Sequence, residues 1–290
     1  MKNFFGSFVF KYLINRRAIH NDLNNFRSFD RFGGLHYNLN DVKFSIPNES
    51  FHKFIDSLLL NNSAPSVWFS LPISLGNLLP TLNKFEFKFH HAENNICSVV
   101  KWLRNTPSKI PVFGTHQLGI AAVVCREKEK LILMVKEKNR KHEGWKLPTG
   151  LSNIDEDLGD AAIREVYEET GIETKFLSVM SLWQRHNFPL AFGRSDLLAL
   201  CRLQVLTVKQ ADFSPCPVEI DECCWISPKV VLAEKSYIQT EYLSTILKLI
   251  NHCLETNNWS DHQMVGKPIS SRHSNSLYKL YLSDASWNRM

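Results

Sequence analysis

Three glutamates on one predicted helix constrain this chain more than any other feature. The segment 150–172 reads GLSNIDEDLGDAAIREVYEETGI, and its strong helix formers predict a helix that begins near Asp157. Glu165, Glu168 and Glu169 are separated by three and four residues, so their side chains share one face of that helix. Three adjacent anions repel one another, and the arrangement is destabilising unless a cation lies among them. Oxygen-rich carboxylate sites of this kind are those that Mg²⁺ and Mn²⁺ prefer.

The rest of this helix has an anchoring face and a defined end. Ala162, Ile163 and Val166 form an apolar stripe offset from the glutamates, which predicts packing against a sheet. Gly171 follows the last turn and predicts a left-handed cap, because glycine adopts that conformation without a Cβ penalty. The sequence therefore predicts an anchored helix whose carboxylates face a metal-bound diphosphate.

The spacing across this segment resembles the Nudix box without departure. The matching residues are Gly150, Glu156, Arg164, Glu165, Val166, Glu168, Glu169, Gly171 and Ile172. The resemblance implies a hydrolase that uses water to attack the diphosphate linkage of a nucleoside diphosphate joined to another group. A solvated acidic helix without chemistry and an inactive descendant of the family are the alternatives. The completeness of the box argues against both.

The resemblance also implies roles for the box residues. The expected metal ligands are Gly150, through its carbonyl, Glu165, Glu168 and Glu169. Arg164 and Glu156 are expected to surround them, with the arginine bridging carboxylates so that they are oriented before the metal arrives.

The identity of the general base is open. By the family pattern it comes from the box or from a later loop, so the candidates are Glu169, Glu219 and Glu222. We favour Glu169, and Glu165 and Arg164 complete the expected catalytic set.

The segments around the box predict a mixed sheet. Residues 117–125 and 131–136 are apolar, β-rich runs separated by a charged turn, a pattern that predicts a hairpin. Further strands are predicted at 175–184, 196–206 and 223–227, and an amphipathic closing helix at 240–255. The expected fold class is therefore α/β, as in the α/β/α sandwich of the Nudix fold.

A narrower resemblance extends outside the box, over about residues 30 to 255. It is to the animal antisense-fibroblast-growth-factor Nudix proteins and the plant ADP-ribose and NADH pyrophosphatases. The motifs that carry it are His90-His91-Ala92, Trp102-Leu103, Trp145 to Gly150 (WKLPTG), Ser195-Asp196-Leu197 and Glu219 to Trp225.

This resemblance implies a smaller α/β domain before the Nudix domain. Helix signals at 51–60 and 75–82 alternate with strand signals at 66–71 and 85–90, which supports it. The predicted organisation is an extension at 1–30, an N-terminal α/β domain at 31–107, a Nudix domain at 115–256 and a flexible tail at 257–290.

Substrate recognition requires aromatic faces and a few hydrogen-bonding groups. Candidates after the box are Trp183, Arg185, His186, Phe188 and Phe192, for which ordinary strand and loop packing is the alternative. The resemblance favours ADP-ribose or NADH, with release of AMP, while coenzyme A compounds, FAD and capped RNA stay open. A protein of another class, which binds nucleotide or a partner with little turnover, is the alternative function.

Charge and cellular location are read from the ends of the chain. The formal net charge is +5, and the basic excess lies in the two ends, which does not favour a nucleic-acid groove. In residues 1–30, cationic side chains alternate with aromatic ones in a pattern typical of a mitochondrial transit peptide, with a cytoplasmic protein as the alternative. Its apolar run is too short to cross a membrane.

The cysteines and paired histidines favour structural roles. The seven cysteines include no CxxC pair, which indicates a reduced compartment. Cys223 and Cys224 are expected on opposite faces of a strand. We expect packing roles for His90 and His91. Nudix relatives often form homodimers, and 35–44 or 277–282 are the candidate interfaces.

Overall fold

The computed structural model describes residues 22–138, 144–186, 191–206, 213–234, 237, 240–270 and 277–287. Most of the targeting-like extension, at 1–21, therefore lies outside the described residues, as does Phe188. Backbone packing divides the chain into two compact units that meet between Phe113 and Gly114. Within the described residues, no helix combines the length and the apolar character needed to cross a membrane.

In its described part, residues 22–113, the first unit contains a five-stranded sheet and helices. Its elements are β1 (Arg27–Phe29), β2 (Leu35–Asn38), α1 (Asn48–Leu60), β3 (Ser66–Pro72), α2 (Leu79–Lys84), β4 (Lys88–Glu93) and β5 (Ile96–Trp102). The strand order is β1-β2-β3-β5-β4, with β2 and β3 parallel and the other neighbours antiparallel. The predicted helix at 51–60 and strand at 66–71 are confirmed, whereas the short helix expected at 75–82 is a 3-10 turn, Ile73–Leu78, followed by α2.

The core of the first unit contains residues that the sequence suggested for a dimer interface. Leu35, Tyr37 and Leu39 are at most 4% exposed, and Tyr37 stacks on Phe69 in the same core. These three side chains are therefore not available to an interface, because β2 is an interior strand whose alternate side chains face α1, while Phe44 of the same segment is 37% exposed.

His90 and His91 hold the end of the first unit together. Their Nδ1 atoms are 2.7 Å apart, and His90 Nε2 lies 2.8 Å from the carbonyl oxygen of Pro111, to which it donates. The ring of His91 stacks on Phe113 with centroids 4.3 Å apart. The expected packing role therefore agrees with the contacts of both histidines.

The second unit is built on a six-stranded mixed sheet. Its elements are β6 (His116–Arg126), β7 (Leu131–Glu137), β8 (Thr149–Leu151), α3 (Leu158–Thr170), β9 (Thr174–Arg185), β10 (Ser195–Val205), β11 (Ile220–Ile226), α4 (Pro228–Ala233) and α5 (Glu241–Thr256). The strand order is β11-β7-β6-β10-β9, and β8 pairs with β6. Strands β6 and β10 are parallel, while β6 and β7 form the predicted antiparallel hairpin.

Helices cover both faces of this sheet, which confirms the α/β/α sandwich. Along β6, Ala121, Val123 and Cys125 face a core beneath α4 and α5. The alternating residues Ile120, Ala122 and Val124 face a second core with Ala161, Ala162 and Val166 of α3. On β11, Cys224 packs toward α5 whereas Cys223 Sγ lies 3.9 Å from the carbonyl oxygen of Glu169. The two thiols therefore face opposite ways, as expected.

The segment 257–290 differs from the expected flexible tail. It contains an antiparallel hairpin of β12 (Val265–Ser270) and β13 (Leu277–Leu282), followed by α6 (Asp284–Trp287). Two backbone hydrogen bonds join Met264 to Val179 at the edge of β9. Lys279 Nζ lies 2.5 Å from Asp157 Oδ2, before the first turn of α3. The contacts with Val179 and Asp157 join the hairpin to residues distant in sequence, which a local pattern does not show.

Candidate active site

The carboxylate of Glu165 lies directly against the backbone of Gly150. Strand β8 pairs with β6 so that Gly150 is opposite Ile120, which fixes the backbone beneath α3. A Cβ atom added to Gly150 would overlap the carboxyl group of Glu165. Only glycine leaves room for the Glu165 carboxylate at this position. Two expected metal ligands, the Glu165 side chain and the Gly150 backbone, therefore lie side by side.

Arg164 bridges the carboxylates of the box. Its Nη1 atom donates to Glu165 Oε1 at 2.8 Å and to Glu168 Oε2 at 3.1 Å. Its Nε and Nη2 atoms donate to the two oxygens of Glu156 at 2.7 and 2.8 Å, and Nη2 also donates to the carbonyl of Leu151 at 3.0 Å. One guanidinium thus orients three carboxylates and the loop after β8.

These ion pairs shift the titration of both partners. Hydrogen bonds from Arg164 are the largest cause that lowers the pKa of Glu156, to about 2. The backbone N–H of Asn153 also donates to Glu156, at 2.8 Å, and stabilises the anion. The pKa of Arg164 is raised above its ordinary value, chiefly by its hydrogen bonds to Glu156. The pair therefore stays charged over the whole physiological pH range.

Glu169 occupies a buried position behind the other two glutamates. It is 4% exposed, and burial raises the pKa of its carboxyl group to about 7, against the opposing effect of Lys146. Lys146 Nζ lies 3.2 Å from Glu169 Oε1, and the backbone N–H of Thr149 donates to Oε2 at 3.2 Å. Among the three candidates for the general base, Glu169 is the buried one, and burial brings the pKa of its carboxyl group close to neutral pH.

The donor chemistry fits a hard divalent cation, although the carboxylates point at cationic groups in this structure. Within the described ranges, no three His, Cys, Asp or Glu side chains converge closely enough to hold a metal ion. The reason is that Glu165 and Glu168 are directed at Arg164, and Glu169 at Lys146. The oxygen donors and the close approach of Glu165 to Gly150 nevertheless suit Mg²⁺ or Mn²⁺.

The later-loop candidates for the general base have separate surroundings. Glu222 is half exposed on β11, and its Oε2 atom lies 2.7 Å from Lys136 Nζ. Its neighbours Cys224 and Ile226 pack toward α5, so strand alternation places Glu222 on the face opposite α3. Glu219 is exposed at the start of β11, where its carbonyl accepts from Lys138 N.

Of the four described substrate candidates, the structure brings Trp183 and Arg185 together, with the Arg185 guanidinium 4.6 Å from the centroid of the Trp183 ring. Trp183 stacks on Tyr242 of α5 with centroids 3.8 Å apart, and Arg185 Nε donates to the buried Asp196 at 2.7 Å. Both lie on the α5 face of the sheet. His186 Nδ1 lies 2.7 Å from Ser195 Oγ, and Phe192 is 93% exposed in a loop with a φ of 49°.

For Trp183 and Arg185, packing is therefore the role that the contacts show. Each contacts a residue on its own face of the sheet, Tyr242 and Asp196 respectively. Trp183 and Arg185 share this face because β9 sends alternate side chains to opposite faces, and their role in substrate binding stays a prediction.

Sequence reasoning missed Lys146, Thr149 and Glu137 as members of the site. Lys146 Nζ is 2.9 Å from Thr149 Oγ1 and forms an ion pair with Glu137. The signal was available, because Lys146 and Thr149 belong to the WKLPTG motif immediately before Gly150. Glu137 could not be predicted in this way, because it lies at the end of β7, outside any motif that the sequence shows.

Comparison with known proteins agrees with this geometry. The family described as "NUDIX domain" matches residues 115–244, and the one described as "Nudix hydrolase domain" matches residues 27–103. The chain is 36% identical over 202 residues to the Homo sapiens protein "Nucleoside diphosphate-linked moiety X motif 6", covering 68% of this chain and 63% of that protein.

Two other relatives extend the comparison. The Xenopus laevis protein of the same name is 42% identical over 166 residues, which cover 57% of this chain and 73% of the relative. "Nudix hydrolase 2" from Arabidopsis thaliana is 38% identical over 186 residues, which cover 62% of this chain and 65% of the relative.

The sandwich fold and the arginine-bridged carboxylates define the second unit as a hydrolase domain built around an acidic helix. Residues 27–103 and 115–244 together account for most of the described chain. The chain belongs to the Nudix hydrolase family.

Proposed function

We propose that the chain is a Mg²⁺-dependent or Mn²⁺-dependent hydrolase that cleaves the diphosphate linkage of ADP-ribose or NADH and releases AMP. The observation that carries the proposal is the set of Glu156, Glu165 and Glu168 oriented by Arg164 beside Gly150. Relatives named for nucleoside diphosphate-linked moieties support the substrate class. The choice of ADP-ribose or NADH rests on the narrower resemblance of the sequence.

The residues of the box divide into those that hold the cation and those that orient them. Glu165, Glu168 and the Gly150 carbonyl are the proposed ligands, with Glu169 joining them from its buried position. When bound, the cation neutralises phosphate oxygens and activates water for in-line attack. Arg164 holds Glu165 and Glu168 in place before the cation arrives.

Glu169 is the proposed general base for the attacking water. Its burial raises the pKa of its carboxyl group to about 7, so that the ionised form accepts a proton near neutral pH. Its distance of 3.2 Å from Lys146 keeps a cation beside the carboxylate after it loses its proton. The reaction leaves one phosphate on AMP and the other on the remaining half of the substrate.

A substrate panel tests the activity directly. Purified protein incubated with Mg²⁺ and ADP-ribose, NADH, FAD or coenzyme A is expected to release AMP or the corresponding monophosphate. Glu168→Gln should abolish release without changing thermal stability, because Glu168 is more than half exposed. Glu173→Gln, at an exposed glutamate just after α3, is the matched control. Nucleotide binding without turnover across the panel would instead identify a binding protein.

We also propose that residues 1–30 direct the chain to mitochondria. The support is the alternation of cationic and aromatic side chains in that segment. A fluorescent protein fused after residue 30 should colocalise with mitochondria, and the fusion with Arg16→Glu and Arg17→Glu should not. Diffuse fluorescence of the unmodified fusion would support the cytoplasm.

We also propose that the chain forms a homodimer, because Nudix relatives often do. Both segments suggested by the sequence keep an exposed apolar side chain, Phe44 at 37% and Leu280 at 40%, and we choose 277–282 for the test. Light scattering of the purified chain before and after Leu280→Glu measures whether this segment joins two copies. A monomeric wild-type chain would contradict the proposal.

A further inference from the structure

Lys146 connects three oxygen groups that surround the candidate metal site. Its Nζ atom lies 2.9 Å from Thr149 Oγ1 and 3.2 Å from Glu169 Oε1, and it forms an ion pair with Glu137 Oε1. An ammonium group has three hydrogen-bond donors, so these partners use all of them. The side chain is 19% exposed, and water therefore contributes little to its environment.

The backbone of Lys146 is fixed as firmly as its side chain. Lys146 N donates to Val135 O at 3.0 Å, and Val135 N donates to Lys146 O at 2.9 Å. These bonds attach the residue to the middle of β7. The ammonium group is thus held from a rigid strand and not from a mobile loop.

Thr149 is held from both sides by the same network. Its N–H donates to Glu169 Oε2 at 3.2 Å, and its hydroxyl accepts from Lys146. Gly150 follows directly, and its backbone lies against the carboxylate of Glu165. The contacts of Lys146 and Glu169 therefore reach the residue next to Gly150 and add to the pairing of β8 with β6 that holds this backbone.

A charge argument supports the same role. Glu137 and Glu169 both approach Lys146, and Glu169 is the more buried, with its side chain 5% exposed against 20% for Glu137. A buried carboxylate without a cationic partner carries a large desolvation penalty. Lys146 is the cation that the structure shows beside Glu169, and Glu137 fixes it from the other side.

We propose that Lys146 is a positioning residue for the metal site, which holds Thr149 and the Glu169 carboxylate in place before the divalent cation binds. It acts through these groups and does not contact the cation. The inference rests on the proposed function for the presence of the cation. It extends that function to a residue outside the box.

The experiment compares three variants of the full chain. Lys146→Met removes the charge and keeps the length of the side chain, and Lys146→Arg keeps the charge. Lys101→Met is the matched control, because Lys101 has a similar side-chain exposure of 22% and a similar pairing, with Glu86 Oε2 and the Phe85 carbonyl in the first unit. Calorimetric titration with Mg²⁺ alone gives the affinity without any substrate.

Lys146→Met is expected to weaken Mg²⁺ binding about 10-fold or more, the usual effect of removing a group that orients metal ligands. Lys146→Arg should restore most of the affinity, and Lys101→Met should leave it unchanged. Hydrogen exchange of the Thr149 amide in metal-free protein should accelerate in Lys146→Met, because its acceptor Glu169 is no longer held. With an active substrate, kcat should fall more than KM rises.

Unchanged or tighter Mg²⁺ binding by Lys146→Met would overturn the inference, since Lys146 would then only compete with the cation for Glu169. Absence of Mg²⁺ binding by the wild-type chain would overturn it as well. If Lys146→Met does not fold, Glu137→Gln replaces it, because it loosens Lys146 and leaves the contact with Glu169 in place. A smaller loss of affinity in the same direction is then expected, and no loss overturns the inference. Wild-type protein that binds Mg²⁺ but cleaves no substrate refutes the proposed function alone.

Discussion

At Gly150, the absence of a single methyl group decides whether Glu165 can lie against the backbone. The structure explains this glycine by crowding and not by backbone conformation, since its φ lies outside the left-handed region. At Arg164 the requirement is reach. The guanidinium has enough donors, on a long enough side chain, to contact Glu156, Glu165 and Glu168 together. The contacts of Glu165 with Arg164 and with the Gly150 backbone therefore determine which residue types these positions accept.

Gly150→Ala should therefore displace Glu165 and weaken Mg²⁺ binding by about 10- to 100-fold. The new Cβ would overlap the carboxyl group of Glu165, which must rotate away from the Gly150 carbonyl. Calorimetry with Mg²⁺ measures the effect without depending on substrate. Gly76→Ala is the control, because a Cβ at Gly76 meets no atom within 4 Å. Equal affinities for the two variants would show that Glu165 is not a ligand in this position.

The ion pair between Glu156 and Arg164 predicts a pH-dependent contribution to stability. The folded-state pKa of Glu156 is lowered to about 2, below its ordinary value of 4.5, chiefly by hydrogen bonds from Arg164. The contribution is therefore complete above about pH 4.5 and is lost as the pH falls toward 2. Glu156→Gln should lower the free energy of unfolding by about 2 kcal/mol at pH 7, and the difference should shrink on acidification.

Urea unfolding of the wild-type chain and Glu156→Gln at pH 7, 4 and 3 measures that difference. Glu129→Gln is a suitable control, since Glu129 forms an exposed ion pair at 3.4 Å with Arg126 and should contribute little at any pH. A difference for Glu156→Gln that is constant with pH would contradict the assigned ion pair.

At the scale of elements, the limits of α3 were predictable and its supports were not. The helix extends from Leu158 to Thr170, and Gly171 has the expected left-handed φ of 74°. Its cap and apolar stripe are local, so the sequence shows them directly. Strands β1, β2, β5 and β8 were not predicted. Strands β1, β2 and β8 have only three or four residues, and β2, β5 and β8 each pair with a strand distant in sequence, which a local pattern does not show.

Within the site, too, local features could be predicted and contacts between elements could not. Arg164, Glu165 and Glu168 could be placed from their spacing on one helix, whereas the burial of Glu169 and its contact with Lys146 depend on how β7 and β8 pack beneath α3. The surroundings of the substrate candidates could not be predicted for a related reason. A run of residues after the box does not show which face of β9 each side chain occupies.

The hairpin of β12 and β13 supports α3 from outside the region that matches the Nudix family. It joins β9 through Met264 and Val179, and Phe176 of β9 lies beside Gly159 near the start of α3. Truncation after His262 should therefore lower the free energy of unfolding by about 2 to 4 kcal/mol, from two backbone hydrogen bonds and lost aromatic contact. Chemical denaturation of the truncated and full chains measures it.

A single substitution measures how much the ion pair of the hairpin, apart from its packing, contributes to the free energy of unfolding. Lys279→Ala removes the contact with Asp157, but both side chains are more than a third exposed, so the cost should stay below about 1 kcal/mol. Lys248→Ala, at an exposed residue of α5, is the control for a lost surface charge. A truncated chain as stable as the full chain would show that the segment is dispensable for the fold.

At the scale of the whole molecule, the two units have separate cores and one contains every described group of the candidate site. Gly150, Arg164 and Glu169 with their partners lie in the unit that begins at Gly114. The core of the first unit is formed by its own sheet and by α1. The sequence predicted this organisation from alternating helix and strand signals, since each unit is long enough to bury a core.

Residues 114–290 expressed alone should therefore fold and retain hydrolase activity. Because the carboxylates, Arg164 and Lys146 all remain with their partners, kcat should stay within about threefold of the full chain, which corresponds to less than about 0.7 kcal/mol in the barrier. The same fragment carrying Glu168→Gln is the control for residual contamination. Steady-state kinetics on the best substrate of the panel give kcat and KM for both lengths. A normal kcat with a raised KM would assign substrate binding to the first unit, and a folded but inactive fragment would contradict the prediction that the second unit is a complete catalytic domain.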